Sequence, residues 1–328
     1  MIRRLAVILL LALFCIACGS SSDDYDTSAS RVLPRGPYSG NEVGPSPVGA
    51  IPDITVRDAS RSRDILLTVE YPTRSGSNPL IIFSHELGGS NRAYIGLSSY
   101  WAGNGYVVIR PSHGDRGTFE TQSEGDFQGR VRDLATILDS LEDLERRYPE
   151  LQGKIDRTKI GVAGHGYGGQ TALLLASDPR VQAVVAMVPE TRGVTLTSVA
   201  RPALFISGTR DPAQTAAEPF TLAPAGDKWL IAIEGARMPA FTGRYEAFTE
   251  AQAREAARND PLLDPYDNRQ QQMRSARVQN AMLRTQEMFG IVRGSALAFF
   301  DAYLKGNAEA RTALENFKDR RGVTVERK

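Results

Sequence analysis

The chain has 328 residues, 41% of them apolar and 23% charged, and carries a net charge of +1. This suits a globular protein built on one large domain, and the balanced charge excludes strong attraction to nucleic acid or acidic lipid. Both cysteines, Cys15 and Cys18, lie near the N-terminus, so the rest of the chain has no disulfide framework, thiol nucleophile or cysteine metal site.

The chain opens on an address. Arg3 and Arg4 form a short positive region, and residues 5–17 an apolar stretch of signal-peptide length, short for a bilayer span. Ala17, Cys18 and Gly19 follow, then Ser20, Ser21, Ser22, Asp23 and Asp24. A small residue, a cysteine and a polar linker resemble a bacterial lipobox, although Cys15 stands where leucine is usual. The resemblance implies a signal peptide over 1–17 and lipidation of Cys18, with export to the cell envelope. Because Gly19, not aspartate, follows, the outer membrane is implied where two membranes exist. An ordinary signal peptide is the alternative. Residues 18–50, rich in Ser, Gly, Pro and Asp, read as a flexible tether.

From residue 51 onward β-branched runs alternate with helical patterns, which predicts an α/β fold with a mostly parallel sheet covered by helices on both faces. The strands are expected at 66–71, 80–84, 106–110, 159–163, 181–188, 203–207 and 229–233. Several are continuous apolar runs, as fully buried parallel strands should be. Phe127, Val131, Leu134, Ile137, Leu138, Leu141 and Leu144 mark one face of a helix over 127–147. Further helices are expected at 170–176 and 296–304. Residues 244–293, rich in Arg, Gln and Ala, read as an inserted helical segment, equally consistent with a lid or a surface decoration. The domain is placed at 51–328.

The chemical signal lies at 159–174, where a strand pattern runs through Gly164, His165, Gly166, Tyr167, Gly168 and Gly169 into a helical pattern. In hydrolases such a turn is G-x-S-x-G and lifts a serine hydroxyl above the end of the sheet. Here the flanking glycines are present, and the nucleophile position is Gly166. Glycine suits a strained turn but cannot attack a carbonyl. A phosphate-binding glycine turn is the bland alternative; no G-K-[ST] follows, and the match of Gly164, Gly166 and Gly169 to G-x-G-x-x-G is weak alone.

With the segments 57–63, 79–90, 100–109, 204–211, 234–241 and 298–306, the chain resembles the dienelactone hydrolases related to platelet-activating-factor acetylhydrolase and to bacterial polyester-degrading lipases. The resemblance implies an α/β-hydrolase fold. It places the family's acid on Asp211 and its base on Met238, which takes no proton near neutral pH. Shifting the alignment puts Arg237 there, no better as a base. The family's Ser-His-Gly-x-Gly-Gly segment corresponds to Ser84, His85, Glu86, Leu87, Gly88 and Gly89, so Glu86 replaces a glycine beside the oxyanion hole. Either its carboxylate repels a developing oxyanion or it points into solvent. Leu87, the Tyr167 N–H and His113 complete the expected pocket. The remaining histidines, His85 and His165, match structural positions of the family.

Three readings follow. The first is a catalytically inactive pseudo-hydrolase, membrane-anchored, that binds an ester-like ligand or an envelope protein. In another serine hydrolase, loss of nucleophile or base alone costs roughly a millionfold in turnover. The second is an active serine-type carboxylic-ester hydrolase with displaced residues, Ser90 or Ser112 with His113. The third is a carboxylate site of Glu86, Asp115, Glu120 and Asp211 holding a metal, for which no metal-ligand spacing exists. No cofactor, metal or nucleic-acid partner is expected.

Overall fold

The computed structural model describes residues 36–114, 124–191, 196, 199–209, 216–224, 226–236, 238–242 and 268–328. Side chains are described for these except at 124–125, 238–239 and 268–282. Strands β1 (Val48–Asp58), β2 (Arg63–Pro72), β3 (Asn78–Ser84), β4 (Val107–Ser112), β5 (Ile155–His165), β6 (Val181–Met187), β7 (Ala203–Gly208), β8 (Lys228–Ile233) and β9 (Val323–Arg327) form one sheet in the order β1-β2-β4-β3-β5-β6-β7-β8-β9. The strands from β4 to β8 in that order run parallel, and the outer pairs β1–β2, β2–β4 and β8–β9 are antiparallel.

Alternation along the strands feeds two cores. Ile81 and Phe83 of β3, Ala163 of β5 and Val185 of β6 face one side, against α1 (Ile95–Gly103), α6 (Asn268–Leu304) and α7 (Ala308–Asn316). Leu80, Ile82, Val162 and Val184 face the other, against α2 (Glu124–Asp139), α3 (Leu141–Arg147), α4 (Tyr167–Leu175) and α5 (Ala217–Leu222). The seven expected strands are all present. The sequence pattern misses β1 and β9, which lie at the two sheet edges and are largely exposed. Pro52, and a register shift between Ile51 and Ile54, further disguise β1.

Other boundaries move. The helix expected over 127–147 is two helices, parted at Ser140, whose hydroxyl donates back to the Thr136 carbonyl at 2.8 Å and competes with the helical ladder. The helix expected at 296–304 is the last quarter of the 37-residue α6, so the helical part of the 244–293 insertion leads into it without a break. Residues 243–267 lie outside the described residues. Of the segment expected as a tether, residues 36–50 are described and pack on the domain. Ser39 and Gly40 are buried, a Cβ on Gly40 would overlap the Gly290 carbonyl, and the Tyr38 hydroxyl donates to Asp301 at 3.0 Å. Among the described residues no helix is long and apolar enough to cross a membrane.

Candidate functional site

β5 ends at His165, Gly166 takes φ 54° and ψ −116°, and α4 starts at Tyr167. For a residue with a side chain that conformation costs roughly 1–3 kcal/mol. The crossing is also tight, because a Cβ on Gly164 would overlap the Gly168 carbonyl and one on Gly168 the Ser84 carbonyl. The Gly166 amide donates to the Met187 carbonyl at 2.9 Å, and its own carbonyl accepts from the amides of Gln170 and Glu190 at 3.1 and 3.2 Å. The turn is therefore held from both sides.

Glu86 faces this turn rather than solvent. A Cβ on Gly166 would overlap its Oε2 and lie 2.9 Å from its Oε1. The Leu87 amide donates to Oε1 at 2.7 Å, and the Tyr167 amide donates to Oε2 at 3.2 Å and to Oε1 at 3.4 Å. In a hydrolase elbow, the amide after the nucleophile and one from the loop after the corresponding strand stabilise the oxyanion. Both kinds of donor here point at a carboxylate already in place. Burial pushes the Glu86 carboxyl above its ordinary value, opposed by the two amides and the positive charge of Arg130, while Glu190 pushes the same way as burial.

Behind Glu86 lies a buried polar chain. The Ser84 hydroxyl is 2.8 Å from His113 Nε2, and His113 Nδ1 is 3.1 Å from Asp133 Oδ2. With Nδ1–H donating to the carboxylate, Nε2 accepts the serine proton, the polarity of a serine–histidine–aspartate relay. All three residues are buried, Ser84 to 0% exposure, and Ser84 points to the sheet face covered by α2 and α4. Asp133 is also bound by Arg61 at 2.6 Å and Arg63 at 3.1 Å. The His113 amide donates to His85 Nε2 at 3.2 Å, which leaves His85 Nδ1–H to donate to the Glu86 carbonyl at 2.6 Å. Arg130 donates to the His85 carbonyl at 2.9 Å. Two helix residues one turn apart, Arg130 and Asp133, thus brace the segment 84–86. Two charges beside an apolar helix face were the available sequence signal, and the apolar periodicity hid it.

The serines expected as substitutes lie elsewhere. Ser112 Oγ accepts from the Asn91 amide at 2.8 Å and donates to Asn91 Oδ1 at 2.9 Å, and Ser90 Oγ accepts from the Arg92 amide at 3.3 Å. His113 meets Ser84 instead. His165 is fully buried, pushed down to about 3 by desolvation, and lies between the Tyr94 hydroxyl at 2.8 Å and the stacked ring of Phe241 at 5.4 Å. It is a neutral packing residue. Met238 opens the turn Met238–Phe241, whose Phe241 ring thereby borders the elbow. Asp211, Asp115, Glu120 and Cys18 lie outside the described residues. Among the described residues no group of three or more His, Cys, Asp or Glu could hold a metal ion.

Comparison with known proteins agrees with this fold. The profile of the dienelactone hydrolase family matches residues 67–289. The chain is 25% identical over 226 residues to a cutinase of Thermobifida fusca (strain YX), covering 64% of this chain and 72% of that one. It is 29% identical over 126 residues to the quorum-quenching protein AidA of Acinetobacter baumannii (strain MDR-ZJ06), covering 37% and 39%. It is 30% identical over 160 residues to the platelet-activating factor acetylhydrolase of Canis lupus familiaris, covering 35% and 36%. The match therefore spans well under half the length of the last two relatives.

Proposed function

The chain belongs to the dienelactone hydrolase family of α/β hydrolases, and from that premise we propose that it is a pseudo-hydrolase, exported and lipid-anchored at Cys18, that binds a small ester-like ligand or an envelope protein without cleaving it. The observation that carries this reading is the Glu86 carboxylate standing where a nucleophile's side chain would rise from residue 166, with the Leu87 and Tyr167 amides on it. An ester carbonyl at this elbow meets neither a serine hydroxyl nor an open donor, because the Glu86 carboxyl occupies the place where the oxyanion would develop. The test is turnover of a short p-nitrophenyl ester by the purified protein, with labelling by a fluorophosphonate probe. The reading expects neither; turnover that survives repurification and is lost on a single substitution in this chain would end it.

A second reading keeps the chain as an active ester hydrolase with displaced residues. The Ser84–His113–Asp133 chain favours it by its spacing and polarity. Burial weighs against it, because a serine with 0% exposure cannot meet a carbonyl without the sheet opening. Fluorophosphonate labelling mapped to Ser84 and abolished by Ser84→Ala would make this the better account.

A further inference from the structure

On the sheet face covered by α1, α6 and α7, away from the elbow helix α4, we infer a binding site for a phosphate group, centred on Arg320. A cavity of about 220 Å³ lies between segment 36–39 and the end of α7, where Ala313, Asn316, Phe317 and Arg320 line it. Its first wall is fixed from three directions. The Ser39 amide donates to the Gly36 carbonyl at 3.0 Å, the Tyr100 hydroxyl donates to the Pro37 carbonyl at 3.1 Å, and the Tyr38 hydroxyl donates to Asp301 at 3.0 Å. The second wall is the join of α7 with the 3-10 turn Phe317–Asp319, and Phe317 itself is buried in the core. The cavity is therefore preformed, as small-ligand sites usually are.

Arg320 is half-buried, with its guanidinium carbon 4.3 Å from the Phe317 ring centre. Its Nη1 donates to the Ser39 carbonyl at 3.2 Å and its Nη2 to the Tyr38 carbonyl at 2.9 Å. Two neutral carbonyls leave the positive charge uncompensated. Among the described residues no carboxylate pairs with it, and Glu287, whose charge it feels, is bound by Arg284 at 3.0 Å. Burial pushes the guanidinium below its ordinary value, opposed by Tyr100 and Glu287. A partly desolvated cation without a counter-ion favours an anion, and three of its five N–H groups have no acceptor among the described residues. The exposed charges around it, Lys318 and Arg321 against Glu315 and Asp319, cancel, so the attraction is local to Arg320. The planar fork of a guanidinium matches carboxylate and phosphate alike. Asn316, one helical turn before Arg320 on the same wall, brings a neutral amide donor and separates the two. A tetrahedral phosphate presents oxygens outside the plane of the fork and can take the Asn316 amide as well, whereas a planar carboxylate spends both oxygens on the fork. The phosphate has two sources, free inorganic phosphate and a phospholipid headgroup.

The probe is inorganic phosphate, against sodium acetate and sodium chloride at equal ionic strength. The readouts are the amide resonances of Gly36, Ser39 and Phe317, the Arg320 Nε–H resonance and the thermal midpoint. In the wild type, phosphate should shift these resonances saturably and raise the midpoint, and acetate should do so less. Asn316→Asp places a carboxylate one turn from Arg320 and should weaken phosphate binding about tenfold or more, the ratio carried by one charge-assisted hydrogen bond. Arg320→Lys, which keeps the charge and removes the fork, should weaken it as well, and serves alone if Asn316→Asp does not fold. Sedimentation with phosphatidylcholine vesicles, plain and doped with phosphatidylglycerol, is run on Cys18→Ser so that no acyl chain contributes. Sedimentation with the doped vesicles that free phosphate competes away assigns the site to a headgroup, and phosphate shifts without sedimentation assign it to the free ion. No saturable response to phosphate, an equal response to acetate or chloride, or a response unchanged in both variants would overturn the proposal. Ester turnover by the wild type removes the reading of the elbow and leaves this site untouched.

Discussion

Restoring a serine at the elbow should fail while Glu86 is present. In Gly166→Ser the new Cβ must accept φ 54° and ψ −116°, a cost of roughly 1–3 kcal/mol. It also overlaps Glu86 Oε2, so the carboxylate must leave and surrender the Leu87 and Tyr167 amides. Hydrogen bonds to a charged group contribute about 1.5–3 kcal/mol each, offset in part when the released carboxylate regains water. The net loss is roughly 2–5 kcal/mol. In Glu86→Gly/Gly166→Ser the overlap is gone and the backbone cost remains, so the two substitutions should couple favourably by about 1–3 kcal/mol. Urea unfolding of the wild type, both single variants and the double variant measures this coupling. Catalysis follows the same order. Gly166→Ser with Met238→His should not turn over a p-nitrophenyl ester, and adding Glu86→Gly should open the oxyanion donors and allow it. Additivity of the single variants within about 0.5 kcal/mol, or ester turnover by the variant that retains Glu86, would refute the reasoning.

Protonation of Glu86 gives a pH test. Its folded value is raised, so above the ordinary value of 4.5 the folded state holds a proton that the unfolded chain has released, and stability falls as pH rises through that window. Denaturant midpoints from pH 4 upward should fall less steeply in Glu86→Gln, with Arg130 and Glu190 unchanged beside it. Asp133→Ala removes the buried carboxylate that Arg63 and His113 share, while Arg61 keeps Asp58, and should destabilise by about 1–3 kcal/mol in chemical denaturation, whether or not Ser84 has any reactivity. Phe300→Ala empties a fully buried position against Trp101 and Tyr106 and should cost roughly 3–5 kcal/mol by the same measurement. Cys18→Ser should release the protein from the membrane fraction and abolish incorporation of labelled palmitate, if the lipid anchor is as proposed.

The sequence by itself determined the strand-and-helix alternation, the seven central strands and the glycine elbow. These are local signals: a buried parallel strand must be apolar throughout, and a strand crossing a helix this closely leaves no room for a Cβ. The edge strands were illegible because half-exposed residues carry little apolar pattern. Residue 86 was open in the sequence, since a loop glutamate can face water or the turn, and nothing within β3 decides between them. Only the tertiary structure brings the segment after β3 against the start of α4, some eighty residues later in the chain, and seats the Glu86 carboxylate on the Tyr167 amide. It likewise joins Ser84, His113 and Asp133, which share no spacing rule and meet because β3 and β4 are neighbours in the sheet and α2 packs beside their ends.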